Sequence, residues 1–235
     1  MIGVGIITCN REQFFKKCLS SIPKCDKLVV VNDGKPYKDY GVETIQHKKN
    51  KGVAVTKNDA LKKLKDCDYI FLIEDDIEII RDDVFEKYIE AYQETGIEHF
   101  NFGFHGELNK QNGKPSAIIK PINGYKILLN KHLTGALSFF TKKCIDKVGY
   151  FDERFYNTVE HVDHTYRISQ AGLTTPFWNF ADILNSFDCI KEQAGTEESV
   201  IRGEDWHEVT VKANEMFKKK FGCYINNIPG IHGII

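Results

Sequence analysis

A chain of 235 residues and 27.0 kDa with 32 basic and 33 acidic side chains is sized for one large domain, and its near-zero net charge excludes a strong sequence-independent grip on nucleic acid. Hydrophobic residues at 42% and charged residues at 28% are ordinary globular proportions, which excludes a disordered or low-complexity chain. Seven scattered cysteines with no CxxC pair argue against a disulfide framework or zinc site and for a reducing cytosol, while a short apolar start and no run of about 18–20 apolar residues predict a soluble cytoplasmic protein without leader or membrane span.

In chain order, residues 2–8 form a β-rich run, and residues 12–21 place Phe14, Phe15, Cys18, Leu19 and Ile22 at helical spacing. Residues 28–31 predict a second buried strand that stops at the turn signal Asn32-Asp33-Gly34. A third strand is predicted over 42–46, then a helix over 53–64 with Val53, Ala60, Leu61 and Leu64 inward. A fourth strand over 69–73 ends in Glu74-Asp75-Asp76, with a further helix opening at Asp82-Asp83. The second half is less regular: 100–104, 117–120, 126–129 and 137–141 read as strands, and 160–171 and 206–221 as helices. The polar stretch 191–202, with Gly195, reads as a mobile loop or lid. Apolar strands alternating with helices predict an α/β fold around a mostly parallel sheet. Ligands in such sheets bind beyond the carboxyl ends of the strands, where residues 8–11, 33–34 and 74–76 converge.

Three adjacent carboxylates at a strand tip repel one another unless a cation or hydrogen bonds offset the charge. A hard divalent ion, Mn²⁺ or Mg²⁺, bridging these acids to a diphosphate is the economical answer. No GxxxxGK[ST] element and no early glycine-rich phosphate loop are present, which argues against a P-loop enzyme and a nucleotidyltransferase.

The ordered set Ile6-Ile7-Thr8-Cys9-Asn10-Arg11, 30–34, Asn50-Lys51-Gly52-Val53-Ala54, Lys57-Asn58, Glu74-Asp75-Asp76, Gly135-Ala136 and the stretch 148–173 resembles family-2-like GT-A glycosyltransferases over most of the chain. The resemblance implies a GT-A-type single domain: a Rossmann-like central sheet with helices on both faces and an acceptor-side subdomain. Residues 1–100 would form the nucleotide-sugar-binding half and 101–235 the acceptor-binding and catalytic half.

Carried residue by residue, the resemblance puts Thr8, Arg11 and Asp33 on the nucleoside diphosphate, with Asp33 accepting from a base N–H and Arg11 pairing with phosphate. Gly52 would let the backbone approach the nucleotide. Lys57 and Asn58 are candidates for the same wall, Lys57 being better read as a surface residue of its helix. Within the DXD-like acidic motif Asp76 falls on the metal, with Glu74 and Asp75 on the nucleotide side. The acceptor-side motif falls on Glu160-His161-Val162-Asp163 with Arg167 beyond it, and His161 stands where relatives carry the catalytic acid. The base that removes the acceptor proton in an inverting transfer is therefore Glu160, His161 or Asp163. A late histidine, His207 or His232, is a further metal candidate. His132 and Gly135 face the acceptor, and Arg202 is a candidate clasp for diphosphate.

The function so implied is metal-dependent transfer of a sugar from a nucleotide-sugar donor, a UDP-sugar first, to a glycan or other hydroxyl acceptor in surface-glycan synthesis. Second comes glycosylation of DNA bases or protein in a bacterial or viral cytosol. The lysines Lys110, Lys114, Lys120, Lys126, Lys131, Lys142 and Lys143 are the weak hint of a polyanionic acceptor. A reading of another class is a degenerate nucleotide- or glycan-binding module that has lost its base.

Overall fold

A computed structural model describes residues 1–193, 206–230 and 232–233. In chain order the elements are β1 (Ile2–Thr8), α1 (Glu12–Ser21), β2 (Lys27–Asn32), β3 (Glu43–Gln46), α2 (Val53–Lys63), β4 (Tyr69–Glu74), β5 (Ile77–Ile79), α3 (Val84–Thr95) and β6 (His99–Asn101). The second half adds β7 (Lys110–Gln111), β8 (Lys114–Pro115), β9 (Ile118–Ile122), β10 (Tyr125–Asn130), β11 (Leu137–Thr141), α4 (Lys142–Val148), α5 (Glu160–Gln170), β12 (Phe180–Ile183), β13 (Ile190–Glu192) and α6 (Trp206–Phe221).

Six strands form the central sheet in the order β3-β2-β1-β4-β11-β6. The first four are parallel, and β11 runs antiparallel to both β4 and β6. The fold is thus the mixed α/β architecture predicted, with one sheet drawing strands from both halves of the chain. Residues such as Val4, Ile6, Val30, Phe71 and Ile73 are buried on the face covered by α1 and α3. Ile7, Val29, Val31, Ile70 and Leu72 are buried on the other, against α2, α4 and α5. Burial on both faces explains why these strands read as unbroken apolar runs. A separate aromatic cluster of Phe155, Tyr166, Phe177 and Phe217 docks α6 against α5.

The register sets the site. Thr8 pairs with Asn32 and Ile7 with Glu74, so β1, β2 and β4 end at one level. The order 3-2-1-4 reverses direction at β1, which opens a crevice at their carboxyl ends.

Some expectations need correction. The strand expected over 100–104 is β6, and it stops at Asn101. There Gly103 N–H donates to Asp182 Oδ2 at 2.9 Å and Asn109 Nδ2 donates to the Gly103 carbonyl at 2.9 Å, which holds the following residues in a loop. Residues 191 and 192 belong to β13, paired with β5, and not to a loop. The rest of that expected lid, from residue 194, lies outside the described residues. No helix among the described residues is long and apolar enough to cross a membrane.

Candidate active site

A cleft partly open to solvent lies at the strand ends and is lined by Thr8, Arg11, Asp33, Glu74, Asp75 and Asp76 among others. Its floor is the acidic turn. Thr8 Oγ1 donates to Asp75 Oδ2 at 2.6 Å and bonds the Tyr37 hydroxyl at 2.8 Å. The Arg11 guanidinium pairs with Asp75 and reaches Asp76 Oδ2 at 3.4 Å. Arg11, expected on a phosphate, lines the cleft and here faces the carboxylates.

Burial pushes the Asp75 carboxyl up to about 7, against the opposing pull of Arg11 and helped by neighbouring Asp76. Asp76 is raised as well, chiefly by burial. Its Oδ1 is buried without a hydrogen-bond partner among the described residues. His105 Nε2 stands 3.9 Å from Asp76 Oδ2, and its Nδ1 lies 3.5 Å from Glu192. Gln193, just beyond β13, staples the turn: its N–H donates to the Asp76 carbonyl at 2.7 Å and its Nε2 to the Ile77 carbonyl at 2.8 Å.

On the opposite wall Asp33 is spent on the backbone. Lys51 N–H donates to both its oxygens at 2.8 and 3.0 Å, Gly52 N–H donates to Oδ2 at 2.8 Å, and His47 Nδ1 bonds Oδ1 at 2.6 Å. The carboxylate, expected to read a base, lines the cleft and organises the loop that starts α2. Gly52 sits at φ 91°, and a Cβ there would overlap the carbonyl and ring of Tyr156. The close approach it permits here is that of Tyr156. Asn157 Oδ1 accepts from Val53 N–H at 3.2 Å, so the loop before α5 clasps the start of α2. Asn58 also faces inward, its Nδ2 donating to the Phe151 carbonyl and Glu153 at 3.0 Å.

Lys57 is the largest departure. Instead of lying on the surface it is 2% exposed, with Nζ 2.8 Å from Glu74 Oε1 and 3.0 Å from Glu160 Oε1. Burial opposes its charge, but the two glutamates outweigh it and hold the ammonium well above its usual range. Burial likewise opposes Glu160 ionisation, and Lys57 with His161 more than offsets it, so that carboxyl lies below the ordinary range. His161 Nδ1 is 3.1 Å from Glu160 Oε1. Its side chain is about a quarter exposed, at 24% against 4% for Glu160. A Cβ on Gly135 would lie 3.0 Å from Glu74 Oε1, 3.4 Å from Lys57 Nζ and 3.7 Å from His161 Nδ1, so that segment roofs the group closely. Val159, just ahead, holds a left-handed φ of 67°, a strained conformation for a β-branched residue.

Asp163 does not join them. It is 0% exposed, with Arg167 Nε 2.9 Å from Oδ2 and Lys220 Nζ on Oδ1. Both oxygens are held in ion pairs between α5 and α6. His207 lies on the exposed face of α6, and the histidine beside Asp76 is His105 instead. His232 packs edge-on against Tyr166 at 6.2 Å, in the aromatic cluster rather than at the acidic turn. His132 is exposed, and its backbone bonds Asn109. Arg202 lies outside the described residues. Sequence reasoning missed His105 and the bridging by Lys57. His105 follows directly on the strand expected over 100–104, so the strand-end rule that selected the other site residues also covered it. Among the described residues no group of three or more His, Cys, Asp or Glu side chains is arranged to hold a metal by itself.

The family model for glycosyl transferase family 2 matches residues 3–148. No curated protein sequence matches the chain significantly. Among solved structures, TarS of S. aureus superposes with a TM-score of 0.58 at 14% identity, covering 96% of this chain and 44% of that one. The mannosyltransferase PcManGT of Pyrobaculum calidifontis, in complex with GDP-Man and Mn²⁺, gives 0.57 at 12% identity over 97% of this chain and 65% of that one. TarS 1–349 in complex with UDP-GlcNAc gives 0.57 at 16% identity over 92% and 66%. The chain thus spans under half of the TarS chain and about two thirds of the PcManGT chain. At such identities the likeness carries the fold alone.

Proposed function

The chain belongs to glycosyl transferase family 2, and from that premise we propose that it moves a sugar from a nucleotide-sugar donor, a UDP-sugar first, to a hydroxyl acceptor with inversion at the anomeric carbon. The observation that carries this reading is the acidic turn at the crevice, where Asp76 Oδ1 is buried without a partner among the described residues. An unpartnered buried carboxylate oxygen is costly, and beside it stand a second carboxylate and an imidazole. That donor set fits Mn²⁺ or Mg²⁺ with remaining positions filled by diphosphate oxygens. Asp76 would hold the ion with His105 at its edge, in place of His207 or His232, and the ion would supply charge neutralisation to the departing diphosphate. The Mn²⁺ of PcManGT supports the same choice.

The chain's own residues would do the rest. Thr8 and Arg11 hold Asp75 against the sheet and keep the turn in shape. His161 Nε2 takes the acceptor hydroxyl proton as that oxygen bonds to the anomeric carbon and the bond to the diphosphate breaks. Glu160 keeps Nδ1 protonated by accepting from it, leaving Nε2 with its lone pair. A glycan is the acceptor we favour. Nothing in the cleft favours a DNA base over it.

The test is a thermal-shift screen of UDP-, GDP- and CMP-sugars with and without Mn²⁺. A ligand that binds only the folded chain at a hundredfold its Kd adds about 2.7 kcal/mol of apparent stability. One nucleotide class should give a Mn²⁺-dependent shift, and Asp76→Asn should abolish it while keeping the fold. Metal-dependent binding by Asp76→Asn at the wild-type level would refute the metal assignment. A shift without turnover on any acceptor would leave a nucleotide-binding module.

A further inference from the structure

Four ionisable side chains from three elements form an unbroken string: Glu74 at the end of β4, Lys57 on α2, and Glu160 and His161 at the start of α5. Lys57 Nζ is 2.8 Å from Glu74 Oε1 and 3.0 Å from Glu160 Oε1, and Glu160 Oε1 is 3.1 Å from His161 Nδ1. Lys57 and Glu160 are buried, at 2% and 3% exposure. Gly135 roofs the group closely enough that a Cβ would touch three of its members.

A lysine is rarely taken out of water unless paired, and this one is paired twice, across 17 residues to one partner and 103 to the other. Both of its partners are carboxylates, Glu74 at the tip of β4 and Glu160 at the start of α5. We propose that Lys57 is a positioning residue: it holds Glu160 ionised and aimed at His161, so that the imidazole carries its proton on Nδ1 and presents a bare Nε2 to the acceptor. This rests on the reading of His161 as the base.

Charge bookkeeping supports the assignment. Glu74, Lys57 and Glu160 carry one negative charge between them, and His161 is neutral before transfer. When His161 takes the acceptor proton the string becomes neutral as a whole. The imidazolium therefore forms beside a group already carrying its counter-charge, with no side chain needing to move. The lysine also offsets the burial of Glu160, which without a cation favours the protonated carboxyl whatever stands at position 74. A protonated Glu160 would donate to Nδ1 instead of accepting, and the ring would turn over to the Nε2–H tautomer, which has no lone pair for the acceptor.

The experiment reads the tautomer directly and requires no substrate. In ¹⁵N-histidine-labelled chain above the ordinary imidazole range, about pH 8, the His161 ring nitrogens are identified among the eight histidines by their loss in His161→Gln. Wild type and Lys57→Arg should show the neutral Nδ1–H form. Lys57→Met should lose it. Because Lys57→Met leaves the buried Glu160 and the part-buried Glu74 without their shared cation and can fail to fold, the double variant Lys57→Met/Glu74→Gln removes charge from both sides. It too should lose the neutral Nδ1–H signature, whether Glu160 takes up a proton or His161 becomes charged. A wild-type ring protonated on Nε2, or a folded Lys57→Met or double variant that keeps the wild-type pattern, overturns the proposal. UDP, GDP and CMP, each with Mn²⁺, are added to the same wild-type sample in a thermal-shift run. Lack of response to all three would sink the donor reading while leaving the tautomer result to decide the role of Lys57.

Discussion

His161 and Asp163 sit two positions apart on α5 and face opposite fates. The helix turns Asp163 inward, where Arg167 and Lys220 take both its oxygens, and leaves His161 partly exposed above Glu160. Substitutions at the two should therefore separate stability from turnover. Asp163→Asn strips the anion from two partly buried cations and should lower unfolding free energy by about 2–4 kcal/mol, with nucleotide-dependent stabilisation retained in the cold. His161→Gln should leave the melting temperature nearly unchanged and lower turnover by about two to four orders of magnitude. Denaturant unfolding and initial rates on the same preparations check both. Full turnover in His161→Gln would return the role of base to an unidentified group. The sequence left Glu160, His161 and Asp163 equivalent because all lie in the first turn of one helix. What distinguishes them is Lys220, 57 residues on from Asp163, and Lys57, 103 residues before Glu160, and no local pattern encodes such partners.

At the scale of elements, the first half was legible because its signals are local. β1, α1 and α2 begin where their apolar periodicity begins, and each of β1, β2 and β4 ends at a polar or acidic turn. The elements that escaped are those whose reason to exist lies elsewhere. β5 is three residues long and pairs only with β13, more than a hundred positions away. α4 has seven residues and is capped by Thr141, whose Oγ1 accepts from Cys144 N–H at 3.1 Å. β12 is a four-residue buried run, too short for either period to show. The joint between α2 and the loop before α5 is of the same kind. Gly52 looked like a nucleotide-side glycine, yet it is Tyr156 that occupies the space beside it. Gly52→Ala adds a Cβ at a positive φ and against that residue, and should destabilise the chain by about 2 kcal/mol or more. Since Asp33 and Asn50 are tied to the same loop, the nucleotide-dependent thermal shift should shrink with it. A variant with wild-type melting and wild-type response would show that Tyr156 yields freely.

The whole molecule is held across its halves by buried polar side chains, and one of them makes stability depend on pH. His99 on β6 is 1% exposed. Its Nδ1 donates to the Phe139 carbonyl of β11 at 2.8 Å, its Nε2 accepts from Thr165 Oγ1 of α5 at 2.9 Å, and its ring stacks on Phe140 at 4.5 Å. Burial pushes its pKa down to about 4, and burial also holds His164, behind it on α5, well below the usual imidazole range. A group whose folded pKa lies below its unfolded value, about 6.5 for histidine, stabilises the fold in full above that value. The contribution is lost as pH falls toward the folded pKa. For His99 the difference corresponds to roughly 3 kcal/mol between about pH 6.5 and 4. Asp182 works in the opposite direction. Burial lifts its carboxyl to about 6, so its contribution is complete below about pH 3.9 and is lost as pH rises through 6. The two overlap in wild-type unfolding curves but separate in a difference measurement. His99→Gln keeps one donor and one acceptor and does not titrate, while Asp182 is common to both proteins. The stability gap between wild type and His99→Gln should be largest near neutral pH and close by roughly 3 kcal/mol by about pH 4. Parallel curves across that range would mean that His99 is protonated in the fold, with Phe139 and Thr165 rearranged to accept its second proton.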